Sequence, residues 1–121
     1  MQYLLMIYQN EAEYAKNPEA LNGKMLAEYG AFTQSIIQSG NFKAGDALQR
    51  STTATTVRVR DGKTLTTDGP FAETREQLGG YYLIEAKDLD EAIGIAARIP
   101  SSRRGTIEVR PLVQTGVPAT A

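Results

Sequence analysis

Histidine and cysteine are both absent from the 121 residues, and each absence removes chemistry. Histidine is the one side chain whose ordinary pKa lies between about pH 5 and 8. Without it the chain builds no Ser-His-Asp triad, no histidine general base and no His-Cys zinc site. Without cysteine there is no disulfide and no thiolate chemistry, which fits a cytoplasmic location. Any acid–base work falls to carboxylates, tyrosines or lysines with shifted pKa values. The carboxylates follow no calcium-loop pattern, so neither a metal nor another cofactor is expected. Long apolar runs are missing too: none approaches the ~18 residues of a membrane span. The opening Met1-Gln2-Tyr3-Leu4-Leu5-Met6-Ile7-Tyr8 lacks a basic leader and a small-residue cleavage site, and reads as a strand instead of a signal peptide. No basic surplus exists either, since the net charge is −1. Arg58, Arg60 and Lys63 along one hairpin, and Arg98, Arg103 and Arg104 near a helix end, read as a solvated face and helix-dipole compensation. No direct nucleic-acid partner and no membrane partner is expected.

What is present is ordinary globular composition, 41% hydrophobic and 22% charged, at a length that suits one domain. A monomer of this size buries only about two-thirds of its unfolded surface, so pairing would enlarge a modest core. Residues 2–8 are apolar on both parities: Tyr3, Leu5 and Ile7 on one, Leu4, Met6 and Tyr8 on the other. Such a strand wants cover on both sides. Residues 9–17 are polar and read as a loop. Asn17-Pro18 opens a helix, as cap and first helical residue. Leu21, Met25, Tyr29, Phe32 and Ile36 form its apolar face, and Gly40 stops it. A short strand over 42–49 is interrupted by Gly45. From Thr55 to Thr67 runs a hairpin, Val57 and Val59 inward, Arg58 and Arg60 outward, turned by Asp61-Gly62 in a type I′ conformation. Residues 68–80 read as loop, and Tyr81 to Ala86 as a strand filled on both parities. Asp88 and Glu91 cap a second helix, with Leu89, Ala92, Ile93, Ala96 and Ile99 as its apolar face and Pro100 as its end. Thr106 to Val113 is the last strand, Ile107 and Val109 inward, with Pro111 suited to an edge. One domain is expected over residues 1–113, with a disordered tail over 114–121.

The order of elements matches a split βαβ, ferredoxin-like βαββαβ unit with an extra β-hairpin, an α+β fold. Two long helices cover one face of the antiparallel sheet. The other face, apolar on strands 2–8 and 81–86, is most economically covered by a second copy, so a homodimer is expected.

The segment Asp68-Gly69-Pro70-Phe71-Ala72-Glu73-Thr74-Arg75-Glu76-Gln77-Leu78-Gly79-Gly80-Tyr81 closely resembles the signature of the YCII-related, or DGPF domain, proteins. The likeness extends to Ala54-Thr55-Thr56-Val57-Arg58, to Ile99-Pro100, to Gly105-Thr106-Ile107-Glu108-Val109-Arg110-Pro111 and to the opening Tyr3 to Tyr8, and so covers nearly residues 1–112. The resemblance implies a dimeric α+β barrel of two ferredoxin-like units. The wider superfamily includes lyases and isomerases acting on ring-derived acids, and monooxygenases that need no metal or flavin. Some YCII-type relatives carry a His-Asp pair in a cleft. Asp68 can stand for the aspartate here, but no histidine exists to pair with it, so that mechanism does not carry over whole. DGPF-type proteins are often encoded beside extracytoplasmic-function sigma factors, which implies a functional link by association.

Asp68 is the candidate catalytic residue: a carboxylate at a strand end, raised in pKa if desolvated, serving as general base. The alternative reading is a turn former ahead of Gly69-Pro70. Arg75 is the candidate grip for a substrate carboxylate, or else the ion-pair partner of Glu73, Glu76 or Asp68. Glu73 and Thr74 join it as weaker substrate-binding candidates. Gly79-Gly80 allows close backbone approach without forming a phosphate loop. Three roles follow: a module that binds a small, acidic metabolite, a cofactor-independent lyase or isomerase in which Asp68 moves the proton, or a purely structural part.

Overall fold

The structure, a computed structural model, describes residues 1–16 and 23–114, with nothing said of the side chains of Tyr14 and Ala15. The expected helix start at Asn17-Pro18, Leu21, and the tail beyond Gln114 lie outside the described residues. Eight residues of alternating, largely apolar side chains make β1 (Gln2–Gln9), and their parity decides the architecture. Tyr3, Leu5 and Ile7 are buried; Leu4, Met6 and Tyr8 on the other face are half-buried. After β1 come α1 (Glu11–Lys16), α2 (Gly23–Gln38), β2 (Phe42–Ala47), β3 (Thr55–Arg60), β4 (Lys63–Asp68), β5 (Gln77–Glu85), α3 (Leu89–Arg98) and β6 (Thr106–Pro111), with 3-10 turns at Ser51–Thr53 and Pro100–Arg103.

The main sheet has the order β2-β5-β1-β6, and every neighbouring pair is antiparallel. This is the ferredoxin-like order, with β3 and β4 set apart as a two-stranded sheet of their own. The core lies between one sheet face and the helices: Tyr3, Leu5, Ile7, Tyr82 and Ile84 from the sheet meet Phe32 and Ile36 of α2 and Ala92, Ile95 and Ala96 of α3. Phe32 and Phe42 each meet the Tyr82 ring edge-on, at 5.2 and 6.3 Å between centroids. Arg98 lies over Phe32 and donates to Ser35 Oγ, while Arg103 pairs with Glu28. Two of the arginines near the α3 terminus therefore have structural partners.

Several elements differ from the sequence expectation. The polar stretch after β1 holds a short helix, α1, because Asn10 Oδ1 accepts from Glu13 N at 3.1 Å and caps it. Strand β5 starts at Gln77, four residues before Tyr81, since the end of β1 pairs across Gly80, Leu78 and Gln77 with a bulge between Ile7 and Tyr8. The buried stripe of α3 is Ala92, Ile95, Ala96 and the following Ile99, while Leu89 and Ile93 are about half exposed. The stripe is rotated from the expected one because Ile95, not Ile93, shares the face of Ala92 and Ile99 at helical spacing. The cap itself is as expected: Asp88 Oδ1 accepts from Glu91 N at 2.9 Å. Asp88→Ala should therefore lower stability by about 1 kcal/mol, measurable as a shifted urea midpoint at unchanged slope. The hairpin turn also agrees, with Asp61 and Gly62 both at positive φ, 52° and 74°. Val57 and Val59, however, face no core in the single chain: they are 59% and 60% exposed. Among the described residues no helix is long and apolar enough to cross a membrane.

Candidate functional site

A cleft of about 530 Å³ opens between α2 and the end of the sheet where β1 stops and β5 begins. Its origin is local. On the helix-facing side, Gly45 of β2 and Gly80 of β5 present no side chain, so the sheet is bare beneath the first turns of α2. A methyl group at Gly45 would come within 2.7 Å of the Tyr82 ring, and one at Gly80 within 3.0 Å of the Asp46 carbonyl oxygen. Glycine inside a strand often marks such a close approach or a place where a ligand lies on backbone. Above this floor stand Met25, Leu26, Tyr29 and Thr33 of α2, successive residues of one helix face.

At the closed end, Ser101 is fully buried. Gln9 Nε2 donates to its Oγ at 2.6 Å, and the Tyr29 hydroxyl hydrogen-bonds the same atom. Thr33 Oγ1 and the Tyr82 hydroxyl lie 2.8 Å apart. The cleft thus combines apolar walls with hydrogen-bonding groups already held by one another, the composition of a preformed small-molecule pocket.

The outer wall is the strap from Leu48 to Arg50, which leads from β2 towards the hairpin. Leu48 N donates to Gly79 O at 2.9 Å. Glu11, at the start of α1, accepts from both Ser51 N and Ser51 Oγ at 2.7 Å. The Arg50 carbonyl accepts from Thr53 N at 2.9 Å and Thr53 Oγ1 at 2.8 Å. Arg50 therefore projects from a backbone tied on both sides, and its guanidinium makes no ion pair among the described residues. Among the described residues the other charged ones bordering the cleft are Glu11 and Asp46. Asp46 belongs to the opposite sheet face by strand alternation, where its Oδ2 accepts from the Tyr81 hydroxyl at 3.0 Å. That hydrogen bond, then the carboxylate's charge, then slight burial hold the Tyr81 pKa above the usual 10.0 of a phenol. Tyr81 stays protonated at neutral pH.

The residues singled out in the sequence lie elsewhere. Asp68 is the exposed last residue of β4, paired across the hairpin with Thr55. It is followed by Gly69 at φ 96°, whose N–H donates to Ala54 O at 2.7 Å. Glu73, Thr74 and Arg75 are exposed on the connection to β5. Thr74 is held by backbone: its Oγ1 donates to Glu76 O at 2.5 Å, and its carbonyl accepts from Gln77 Nε2 at 2.6 Å. Arg75 makes no ion pair among the described residues. None of the four borders the cleft of its own chain. The cleft residues that sequence reading passed over are Arg50, Gln9 and Ser101. Gly45, a glycine inside a segment that read as strand, and Gly79-Gly80, read as allowing close backbone approach, were its visible signal.

An α+β domain of ferredoxin-like topology, with an apolar cleft under its first long helix and an added hairpin, is the class these observations define. The chain belongs to the YCII-related domain family, whose pattern it matches over residues 1–115. It is 33% identical over 114 residues to an uncharacterized protein of Rhizobium meliloti (strain 1021), covering 93% of this chain and 92% of that protein.

Proposed function

We propose that the chain is a binding module for a small, mostly apolar molecule carrying one acidic group, held in the cleft between α2 and the sheet, and that it works as a homodimer. The observation that carries the reading is the cleft itself, bordered by an arginine with a tethered backbone and no carboxylate partner among the described residues. Leu26 and Leu48 face solvent at its mouth, 69% and 47% exposed, and a ligand body lying between them would remove both from water. Each Å² of apolar area so removed contributes about 25 cal/mol. A carboxylate or sulfonate meeting the Arg50 guanidinium would add a charge-assisted hydrogen bond. Binding is favoured over proton transfer by the state of the bordering carboxylates: Glu11 is engaged by Ser51 and Asp46 by Tyr81, and Asp68 lies outside. Dimerisation is supported by the second sheet face, where Leu4, Met6, Tyr8, Tyr81 and Leu83 are half-buried while α2 and α3 pack on the opposite face among the described residues.

Two dyes test the ligand reading. Anilinonaphthalene sulfonate is a flat apolar anion, and phenylnaphthylamine is nearly the same body without the charge. Both should shift the amide resonances of Gly45, Gly79 and Gly80 in nitrogen–proton NMR spectra. Arg50→Gln should weaken the anion about tenfold, the lower end for a charged hydrogen bond at an exposed site, and leave the neutral dye unchanged. Shifts confined to Leu4, Met6 and Leu83 would contradict the site. Equal loss of both dyes, or of neither, would contradict the acidic group.

A further inference from the structure

The hairpin of β3 and β4 is uncovered on both sides. Eleven of its twelve strand residues are exposed, Thr56 alone being half-buried. A two-stranded ribbon exposed on both faces is marginal in water, yet this one has a fully specified turn and register. Its two faces differ in chemistry. The register sets Thr55, Val57 and Val59 beside Asp68, Thr66 and Thr64, a neutral, β-branched surface with one carboxylate at the root. It sets Thr56, Arg58 and Arg60 beside Thr67, Leu65 and Lys63, a surface with three cations. Apolar against charged alternation is the pattern of a strand with one covered side, and among the described residues Val57 and Val59 stay exposed.

We infer that the Val57–Val59 face of this arm packs on a second copy of the chain, beside the paired sheets, leaving the arginine face in water. The inference rests on the homodimer proposed above. Area chooses the occupant. The four main-sheet strands, of six to nine residues, present only about 470 Å² in projection at ~4.8 Å spacing and ~3.4 Å rise. A stable interface buries about 800 Å² on each partner. One face of the arm offers roughly 200 Å² more by the same spacing, and twofold symmetry places an arm from each chain in the contact. In chain order the arm lies between β2 and β5, so it leaves the main sheet at the end bearing Gln77 and Tyr8. Three cations on the outer side would discourage further strands from adding to the ribbon.

The test compares the two faces of the same hairpin by sedimentation velocity over a dilution series. Val57→Lys with Val59→Lys should weaken self-association at least tenfold. Leu65→Lys with Thr67→Lys, on the opposite side, should leave it within about twofold. Both variants change only surface side chains, and far-ultraviolet circular dichroism with an unchanged melting midpoint of the main sheet checks that each stays folded. A wild-type dimer that tolerates the valine pair as well as the other pair would overturn the arm contact while leaving the sheet-to-sheet dimer standing. A monomeric wild type would overturn both.

Discussion

Met6→Glu is expected to convert the protein into monomers, raising the dissociation constant more than a hundredfold. Met6 sits mid-way along the central strand β1, on the uncovered face, flanked by Tyr81 of β5 and Glu108 of β6. In the proposed face-to-face dimer it would fall inside the contact, so a glutamate there would bury a charge on each partner. Leaving one charge unpaired in such a contact costs about 3 kcal/mol or more. In the monomer the same side chain is only half-buried and the new carboxylate reaches water, so the fold should survive. Sedimentation reads the mass and circular dichroism the fold. A dimer of undiminished affinity would mean that the sheet face is not the interface.

Gly105→Ala should be the most destabilising single methyl group in the chain. Gly105 immediately precedes β6, and a Cβ there would overlap the Tyr8 carbonyl oxygen, which is backbone of the central strand. β1 is bonded on both sides, to β5 and to β6, so it cannot retreat without breaking ladder pairs. A loss of about 3 kcal/mol or more is expected, seen as a melting midpoint lower by ~10 °C or more. Gly94→Ala is the internal control. Gly94 lies in α3 with nothing near the place a methyl group would occupy. Its replacement should raise stability by ~0.5–1 kcal/mol. Near-equal effects of the two substitutions would contradict the close approach of the Gly105 bend to Tyr8.

The parts of the fold that were legible in the sequence are those decided by neighbours a few residues apart. Tyr3 to Tyr8 reads as a two-sided strand, Asp61-Gly62 as a hairpin turn and Asp88 with Glu91 as a helix cap, because each rests on local backbone preference. The early start of β5 was hidden because Gly79-Gly80 end a stretch rich in turn formers that read as loop, whereas Gly80 pairs with Ile7 of β1 and Ala47 of β2. The cleft was least legible. Its closed end joins Tyr29 to Ser101, 72 residues apart, and Gln9 to Ser101, 92 apart. No spacing rule links such residues before the topology is known. Arg50 was passed over because its distinction is a tether made by Glu11, 40 residues before Ser51, and by Thr53. Asp68 and Arg75 stood out by motif, yet motif alone does not say whether a residue borders the cavity of its own chain.

Sedimentation equilibrium of the unmodified protein at micromolar concentration is the most direct measurement of the central claim, that the apolar sheet face is covered by a second copy. A single species of twice the 13.2 kDa chain mass is predicted. A species of 13.2 kDa that persists as concentration rises would contradict it.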